Sequence, residues 1–483
     1  MKHSAVPTGI SQVTQSRYFH DCLSQLRSVV GSGNVLMDQT TITLASYDLI
    51  DWPKQQLALA VVRPRSTQEV VELTQIARQY NLPLIARGAG LSYSGGGVPH
   101  TAALVVDMEN FCSIDIHPED LFATVGAGTT WQAVAQALAP HGLKPAQPMP
   151  ISGIYTTVGG AASQGMPGGL DGIIGLTVVL SDGVVVRTGS GAHARATAFQ
   201  RYWGPDLTGL FLGDCGIFGI KTEIHLRLTP VRPTRFASFS CSDGSSSTGL
   251  MTQLLQGGLP ARVVINGPGN GNSSDKWMLH VTVEGATEDA AESVLTDVRL
   301  ACRAVATEVD AEVPRRLHAR PFSIRGFVGL DGERWLPVHG VLPLTQAAPC
   351  LTALTRLLES RNLELQEKGI QYTWTLSSMG PYVTIEPMFY WSDALTPLHL
   401  HYLSARHRER FSGRTDASDV RDHVRQVRGD VRRVMDEYGA VHAQLGRYFA
   451  YQSALAEGTN EIIGRIKRSL DSRGIMNPGV LEA

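Results

Sequence analysis

Residues 83–99 read PLIARGAGLSYSGGGVP and hold the densest group of residues suited to ligand chemistry in the chain. A short apolar run, Leu84, Ile85 and Ala86, enters like a buried strand and breaks at Arg87-Gly88. Gly88, Gly90, Gly95, Gly96 and Gly97 follow, with small or hydroxyl residues between them and one tyrosine, Tyr93. Glycines at this density let the backbone turn tightly and bring its N–H groups close to a ligand. Converging amides carry partial positive charge, so such a loop suits a phosphate or pyrophosphate without help from a side chain. A second glycine-rich stretch, SGIYTTVGGAASQG at residues 152–165, places Thr156 or Thr157 to cap a short helix whose N-terminus would face a ligand. A third glycine run covers residues 213–219.

Near the C-terminus, AVHAQLGRYF at residues 440–449 alternates apolar and polar residues and is expected to form a strand over 441–449. With period two, His442, Gln444, Gly446 and Tyr448 share one face, while Arg447 lies on the other unless a bulge at Gly446 turns it. That polar row has two readings. It supplies a general base and a hydrogen-bonding phenol, or it is the solvent face of an edge strand. Tyr93 likewise either reaches a substrate or packs under the glycine loop. His339 and the aromatic residues Trp374, Tyr390 and Trp391 are candidates for a pocket, with a buried core as the plainer reading.

The elements around these residues are legible. Residues 57–63 (LALAVVR) form a strand, and Ser66 with Glu69 makes a capping box for a helix carrying Val70, Leu73, Ala77 and Tyr80 on one face. Residues 84–86 and 103–108 add two strands, which puts the glycine loop at a strand's end in an α/β layout. Thr129 is placed to cap a helix over residues 130–138, and Ser181-Asp182-Gly183 turns a hairpin. Beyond residues 230–233 the glycine punctuation gives way to longer strand–helix units.

At 483 residues the chain is long enough for two or three domains, and its net charge of −2 argues against a nucleic-acid binder working by bulk electrostatics. The N-terminal residues lack the apolar core of a signal peptide, and no run is long enough to be expected to span a membrane. Six cysteines without metal-ligand or CxxC spacing read as reduced thiols, with no metal site expected, and point to the cytoplasm. A dinucleotide-binding Rossmann loop is the nearest rival for residues 88–93, but the third glycine is replaced by Tyr93 and no helical period follows.

Taken in order, RPRSTQEVVELTQIARQYNLPLIARGAG, VGAGTTWQAV, TTVGGAASQG, GPDLTGLFLGDCGIFGIKTEIHLRLTP and the terminal LDSRGIMNPGVL resemble the vanillyl-alcohol oxidase/para-cresol methylhydroxylase (PCMH) flavoprotein superfamily. The resemblance covers nearly the whole chain. It implies an α+β protein with a two-part PCMH-type FAD-binding domain and an antiparallel-sheet α+β cap. The expected boundaries are residues 1–232 for the FAD-binding domain, 233–440 for the cap, and 441–483 for a C-terminal segment returning to the first domain. FAD would be held by Arg87, Gly88, Ala89, Gly90, Leu91 and Ser92, by Ser152, Gly153, Thr157, Gly159, Gly160 and Ser163, and by Gly219, Ile220 and Asn477. His442 is expected as the base and Tyr448 to orient substrate, with Tyr93 and Arg447 as further catalytic candidates. Residues 87–97 contain no histidine, so covalent attachment of FAD through one there is excluded.

The implied activity is transfer of hydride from a small hydroxylated organic substrate, a 2-hydroxy acid such as D-lactate, to flavin. The alternatives are oxidation of para-substituted phenols or benzylic alcohols, an NADPH-dependent flavin reductase, and a noncatalytic flavin carrier. The Tyr-Arg pair and the aspartate of the phenol oxidases are placed opposite His442-Ala443 and Ile151 here, and the histidine-rich metal motif of the D-lactate branch is missing. A separate electron acceptor is expected, whether oxygen, a quinone or a cytochrome, and a homodimer is compatible with the sequence.

Overall fold

A computed structural model describes residues 17–52, 56–166, 169–259, 262–271, 276–323, 326–378 and 380–482. Residues 1–16, read above for a signal peptide, lie outside the described residues. The chain divides into two units: Met1–Thr229 with Thr396–Tyr402 and Gln444–Ala483, and Pro230–Leu395 with Leu403–Ala443. The seven residues Thr396–Tyr402 thus belong with the first unit although they lie within the stretch expected for the cap.

In the first unit, Ala60–Val62, Leu104–Asp107 and Leu84–Arg87 form neighbouring parallel strands, with Val35–Leu36 antiparallel at one edge. Their near-continuous apolar sequence is that of strands covered on both faces, and residues 60–62 and 104–106 are indeed all buried. The helix Thr67–Gln79 makes the crossover. Ser66 Oγ accepts from Glu69 N at 3.2 Å, while the Glu69 carboxylate reaches back to Arg65 N at 2.7 Å, one residue earlier than in the usual capping box. At the free edge of Leu84–Arg87 the C-terminal segment joins the sheet. Leu84 N donates to Ile475 O (2.7 Å) and Asn477 N to Leu84 O (2.9 Å).

A second, antiparallel sheet runs in the order Ile114–His117, Phe122–Gly126, Ile220–Pro230, Ile173–Val179, Val185–Arg187. The Asp-Gly hairpin forms as expected, with Gly183 at φ +89. The helix Trp131–Leu138 is capped by Thr130, whose Oγ1 accepts from Ala133 N at 3.2 Å. Thr129, the expected cap, is buried and turns its hydroxyl to the carbonyls of Phe111 and Ser113.

The second unit is built on one antiparallel sheet: Ala306–Val309, Thr234–Cys241, Trp277–Glu284, Arg262–Gly267, Gln371–Ser378, Tyr382–Trp391, Arg334–Pro337, with Gly340–Pro343 also on Tyr382–Trp391. The helices Gly244–Gln256, Glu288–Cys302 and Leu344–Ser360 contribute buried apolar stripes. The expected α+β class with an antiparallel-sheet second unit is what the structure has.

The expected strand over 441–449 does not form. Val441 makes a single bridge to Val341, after which Gln444 (φ +52) and Gly446 (φ +57) take left-handed conformations. Two such residues so close together destroy a period-two alternation. Gly446 is required there, because a Cβ would stand 2.2 Å from the carbonyl oxygen of Ser94.

Candidate functional site

The carboxyl ends of the three parallel strands open onto a cavity of about 430 Å³ within the first unit. Arg63, Arg87-Gly88-Ala89, Asp107 and Glu109 form its strand-end wall, and Gly128, Thr129, Thr130, Tyr155 and Thr157 face them. Leu44 and Ala45 of the helix Gln39–Ser46, with Leu398, His401 and Tyr402, complete it. Ligands of open α/β sheets bind at this end of the strands, and the volume falls in the range of small-molecule sites. Arg63 spans the two carboxylates, with Nε 2.9 Å from Asp107 Oδ2 and Nη1 2.9 Å from Glu109 Oε1.

The glycine loop on this wall is held by long-range partners. The Arg87 guanidinium is buried and donates to the carbonyls of Gly97 (3.0 Å), Leu44 (2.9 Å) and Tyr47 (2.6 Å). Arg87 lines the cavity, yet these three bonds make its guanidinium chiefly a brace for the loop. Burial pulls its pKa down. Asp48, 1% exposed, accepts from Gly95 N (2.9 Å), Ile50 N (2.9 Å) and Trp52 Nε1 (3.1 Å). Burial pushes its carboxyl up to about 6 against the pull of those donors. Asn477, at φ +42, donates from Nδ2 to Gly96 O (2.8 Å) and Cys215 O (2.6 Å), tying the first and third glycine runs to the C-terminal segment.

The first glycine loop keeps amides for a ligand. Those of Ala89, Gly90 and Leu91 donate to no protein acceptor among the described residues. Gly88 admits no larger residue, since a Cβ would lie 2.3 Å from Thr157 Oγ1. The second glycine segment differs. In the helix Val158–Gln164, Val158 N donates to Thr129 O (2.9 Å), Gly159 N to Ala127 O (2.9 Å) and Gly160 N to Thr157 Oγ1 (3.1 Å). The expected ligand-facing N-terminus is therefore spent inside the protein, and Gly159 and Gly160 serve the packing of that helix. A Cβ on Gly159 would stand 2.6 Å from Ala127 O.

The remaining expected cofactor residues are distributed as follows. Thr157 caps its helix and lines the cavity. Ser152 and Gly153 build the turn before Tyr155, through Tyr155 N to Ser152 O (2.9 Å) and Gly153 N to Pro150 O (2.9 Å). The Ser163 carbonyl takes Cys215 N at 2.6 Å. Ser92 offers its carbonyl to Leu49 N (3.0 Å). Gly219 and Ile220 are buried where the strand Ile220–Pro230 begins, away from the cavity lining.

The four catalytic candidates do not form one group. Tyr93, 5% exposed, is packed into the first unit. Arg447 comes to the second half of the glycine loop, where its backbone N donates to Ser94 O (2.7 Å) and its Nε to Gly95 O (3.1 Å). Its Nη1 meets His100 Nδ1 at 2.7 Å, and the guanidinium lies 4.9 Å over the Trp52 ring. Tyr448 packs its ring edge-on to Phe449 at 4.9 Å. His442 falls in the second unit, where Nδ1 stands 2.7 Å from the His339 carbonyl and Nε2 2.7 Å from Asp436 Oδ1. Both ring nitrogens thus face protein oxygens of the second unit. His339 is fully buried, with Nε2 donating to Ala443 O (2.8 Å) and burial pushing it down to about 3.

Sequence reading missed Asp48, Trp52, His100, Tyr155 and Tyr402, and the buried pair Lys221–Asp214 (2.6 Å). Only Lys221 carried a local signal, as a lysine directly after the apolar-and-glycine run of residues 216–220. The others act through partners distant in sequence.

Residues 58–189 match the family model described as an FAD binding domain. The chain carries an FAD-binding domain. "Glycolate oxidase subunit GlcD" of Bacillus subtilis is 32% identical over 241 residues, covering 47% of this chain and 49% of that protein. "Probable D-lactate dehydrogenase, mitochondrial" of Danio rerio is 33% identical over 209 residues, 41% of each. The chain therefore spans about half the length of the curated relatives it matches. Among solved structures, p-cresol methylhydroxylase with substrate bound aligns over 99% of this chain and 98% of that one, with a TM-score of 0.75 at 17% identity. The 4-ethylphenol oxidase from Gulosibacter chungangensis aligns over 97% of each chain, with a TM-score of 0.76 at 19% identity. These likenesses are of fold.

The FAD-binding domain fits its cofactor on structural grounds. The free amides of residues 89–91 meet a cavity of ligand size, and Asn477 Oδ1 and Thr156 Oγ1 are buried polar atoms with no partner among the described residues. Among the described residues no helix is long and apolar enough to cross a membrane.

Proposed function

We propose that this chain is an FAD-dependent oxidoreductase acting on a small 2-hydroxy acid of the glycolate or D-lactate kind. The observation that carries the reading is the FAD-binding domain with unspent loop amides, in a chain whose sequence relatives are named for glycolate and D-lactate oxidation. When bound, FAD supplies the two-electron acceptor for the substrate carbon. The chain's own residues bind and orient. Residues 88–91 cradle the diphosphate with backbone amides, and Thr157 contributes beside Gly88.

Arg447 is the cation assigned to the substrate carboxylate. Gly95 O, His100 and the Trp52 face fix its guanidinium while using only part of its five donors. Tyr448 is assigned to the substrate hydroxyl, and Tyr93 to support of the loop. His442, enclosed by two acceptors, is assigned to holding residues 339 and 443 together instead of to proton transfer. A separate acceptor, oxygen, quinone or cytochrome, takes the electrons onward.

Oxidation of phenols is the second reading, favoured by the full-length fold match to p-cresol methylhydroxylase and 4-ethylphenol oxidase. Anaerobic mixing of the yellow protein with D- and L-2-hydroxy acids, para-alkylphenols, benzylic alcohols and NADPH tests both. Bleaching by hydroxy acids is expected. Bleaching by phenols alone, or by NADPH alone, overturns the assignment.

A further inference from the structure

The segment Thr396–Tyr402 leaves the second unit's sequence, joins the first unit, and returns. It lies far downstream of the matched domain, which ends at residue 189. Its short helix, Pro397–Tyr402, is fixed at its start by Thr396 Oγ1, 2.6 Å from Nδ1 of the fully buried His399. Leu398, His401 and Tyr402 all line the cavity.

Tyr402 bonds to both sides of that cavity. Its hydroxyl donates to Ala89 O at 2.8 Å, and its carbonyl accepts from the Tyr155 hydroxyl at 3.1 Å, the two rings being 4.8 Å apart. In a trans peptide the N–H points opposite to the C=O. Holding the Ala89 carbonyl therefore also sets the direction of the Gly90 N–H, one of the three amides that donate to nothing else among the described residues. Gly90 is at φ +74, a left-handed backbone that glycine adopts without a Cβ penalty, so no side chain of its own fixes the orientation of this peptide. Burial pushes the Tyr402 hydroxyl up to about 12, which keeps it a donor at any working pH.

We propose that the helix Pro397–Tyr402 is part of the dinucleotide site, with Tyr402 as the positioning residue that aims the Ala89–Gly90 peptide at the FAD diphosphate and Tyr155 as its anchor. The inference rests on the FAD reading. Tyr402→Phe removes the donor and keeps the ring.

The test is titration of the flavin-stripped full chain with FAD, ADP and adenosine, followed by flavin fluorescence and calorimetry. Tyr402→Phe is expected to weaken FAD and ADP by a similar factor, about fivefold to tenfold for one lost hydrogen bond. Adenosine, which has no diphosphate, should bind as to wild type. Tyr155→Phe should give the same pattern with a smaller factor, and it carries the test if Tyr402→Phe does not fold. Wild-type affinity for FAD and ADP in the variant overturns the proposal, as does an equal loss for all three ligands. A wild-type chain that binds no FAD at all would instead sink the FAD reading itself.

Discussion

Two glycine-rich stretches of the first unit look alike on paper and do opposite work. In residues 89–91 the amides are left open, while Tyr402 holds the Ala89 carbonyl and Arg87, Asp48 and Asn477 hold the flanking residues 95–97. In residues 158–160 the amides are consumed by Thr129 O, Ala127 O and Thr157 Oγ1, and Gly159 lets this backbone lie against residue 127. Glycine density signals close approach of a backbone. It does not say whether a ligand or another strand is approaching.

The packed stretch is disturbed most severely through the third glycine run, which holds its helix by Gly213 N to Ala162 O (2.8 Å) and Cys215 N to Ser163 O (2.6 Å). Lys221→Met leaves Asp214, buried at 3% exposure, without its cation. Breaking such a pair costs about 3–5 kcal/mol, and chemical denaturation should show a loss of that size.

Next come the two glycines themselves. Gly159→Ala forces a Cβ onto the Ala127 backbone and should cost about 1–3 kcal/mol of stability, with little change in FAD affinity of the folded protein. Gly88→Ala forces a Cβ onto Thr157 Oγ1 beside the open amides. It should weaken FAD by about tenfold to a hundredfold. If both variants lose stability and FAD in the same proportion, the division between packing and binding glycines fails.

Asp48 gives a pH signature. Its carboxyl is held up to about 6, above the usual carboxylate range, so between pH 4 and 6 the folded state binds more protons than the unfolded one. Stability from this group is thus greatest at low pH and falls by roughly 2–3 kcal/mol as pH rises through that window. Asp48→Asn should flatten the fall in a pH series of denaturation curves; an unchanged slope would show that Asp48 does not titrate there. The smallest effect is expected from Asn477→Ala. Losing the two bonds to Gly96 O and Cys215 O should cost about 1–2 kcal/mol, read as a lower melting temperature and looser FAD.

Local features survived the passage from sequence to structure because their causes are local. Ser66 caps its helix, Thr157 caps the next glycine-rich one, and Asp182-Gly183 turns a hairpin, each through neighbours within a few residues. The cap at Thr130 in place of Thr129 was a choice between adjacent threonines, made by the distant carbonyls of Phe111 and Ser113. The alternation in residues 441–449 misled for a related reason. A left-handed Gln444 is invisible to a pattern of apolar and polar residues, and it removed the shared face on which His442 and Tyr448 were expected.

By itself the sequence determined that a glycine loop follows a buried strand, that three glycine runs occur in the order of an FAD-binding flavoprotein, and that an antiparallel α+β unit follows. Tertiary structure alone decided which amides stay open, that the Arg87 guanidinium ties Gly97 O of the loop to the carbonyls of Leu44 and Tyr47, that His442 is enclosed by acceptors, and that residues 396–402 join the first unit and line its cavity. The reason is the reach of the bonds. Helix caps and turns are settled between near neighbours, whereas Asp48 with Gly95, Asn477 with Gly96 and Tyr402 with Ala89 join residues that only the folded chain brings together.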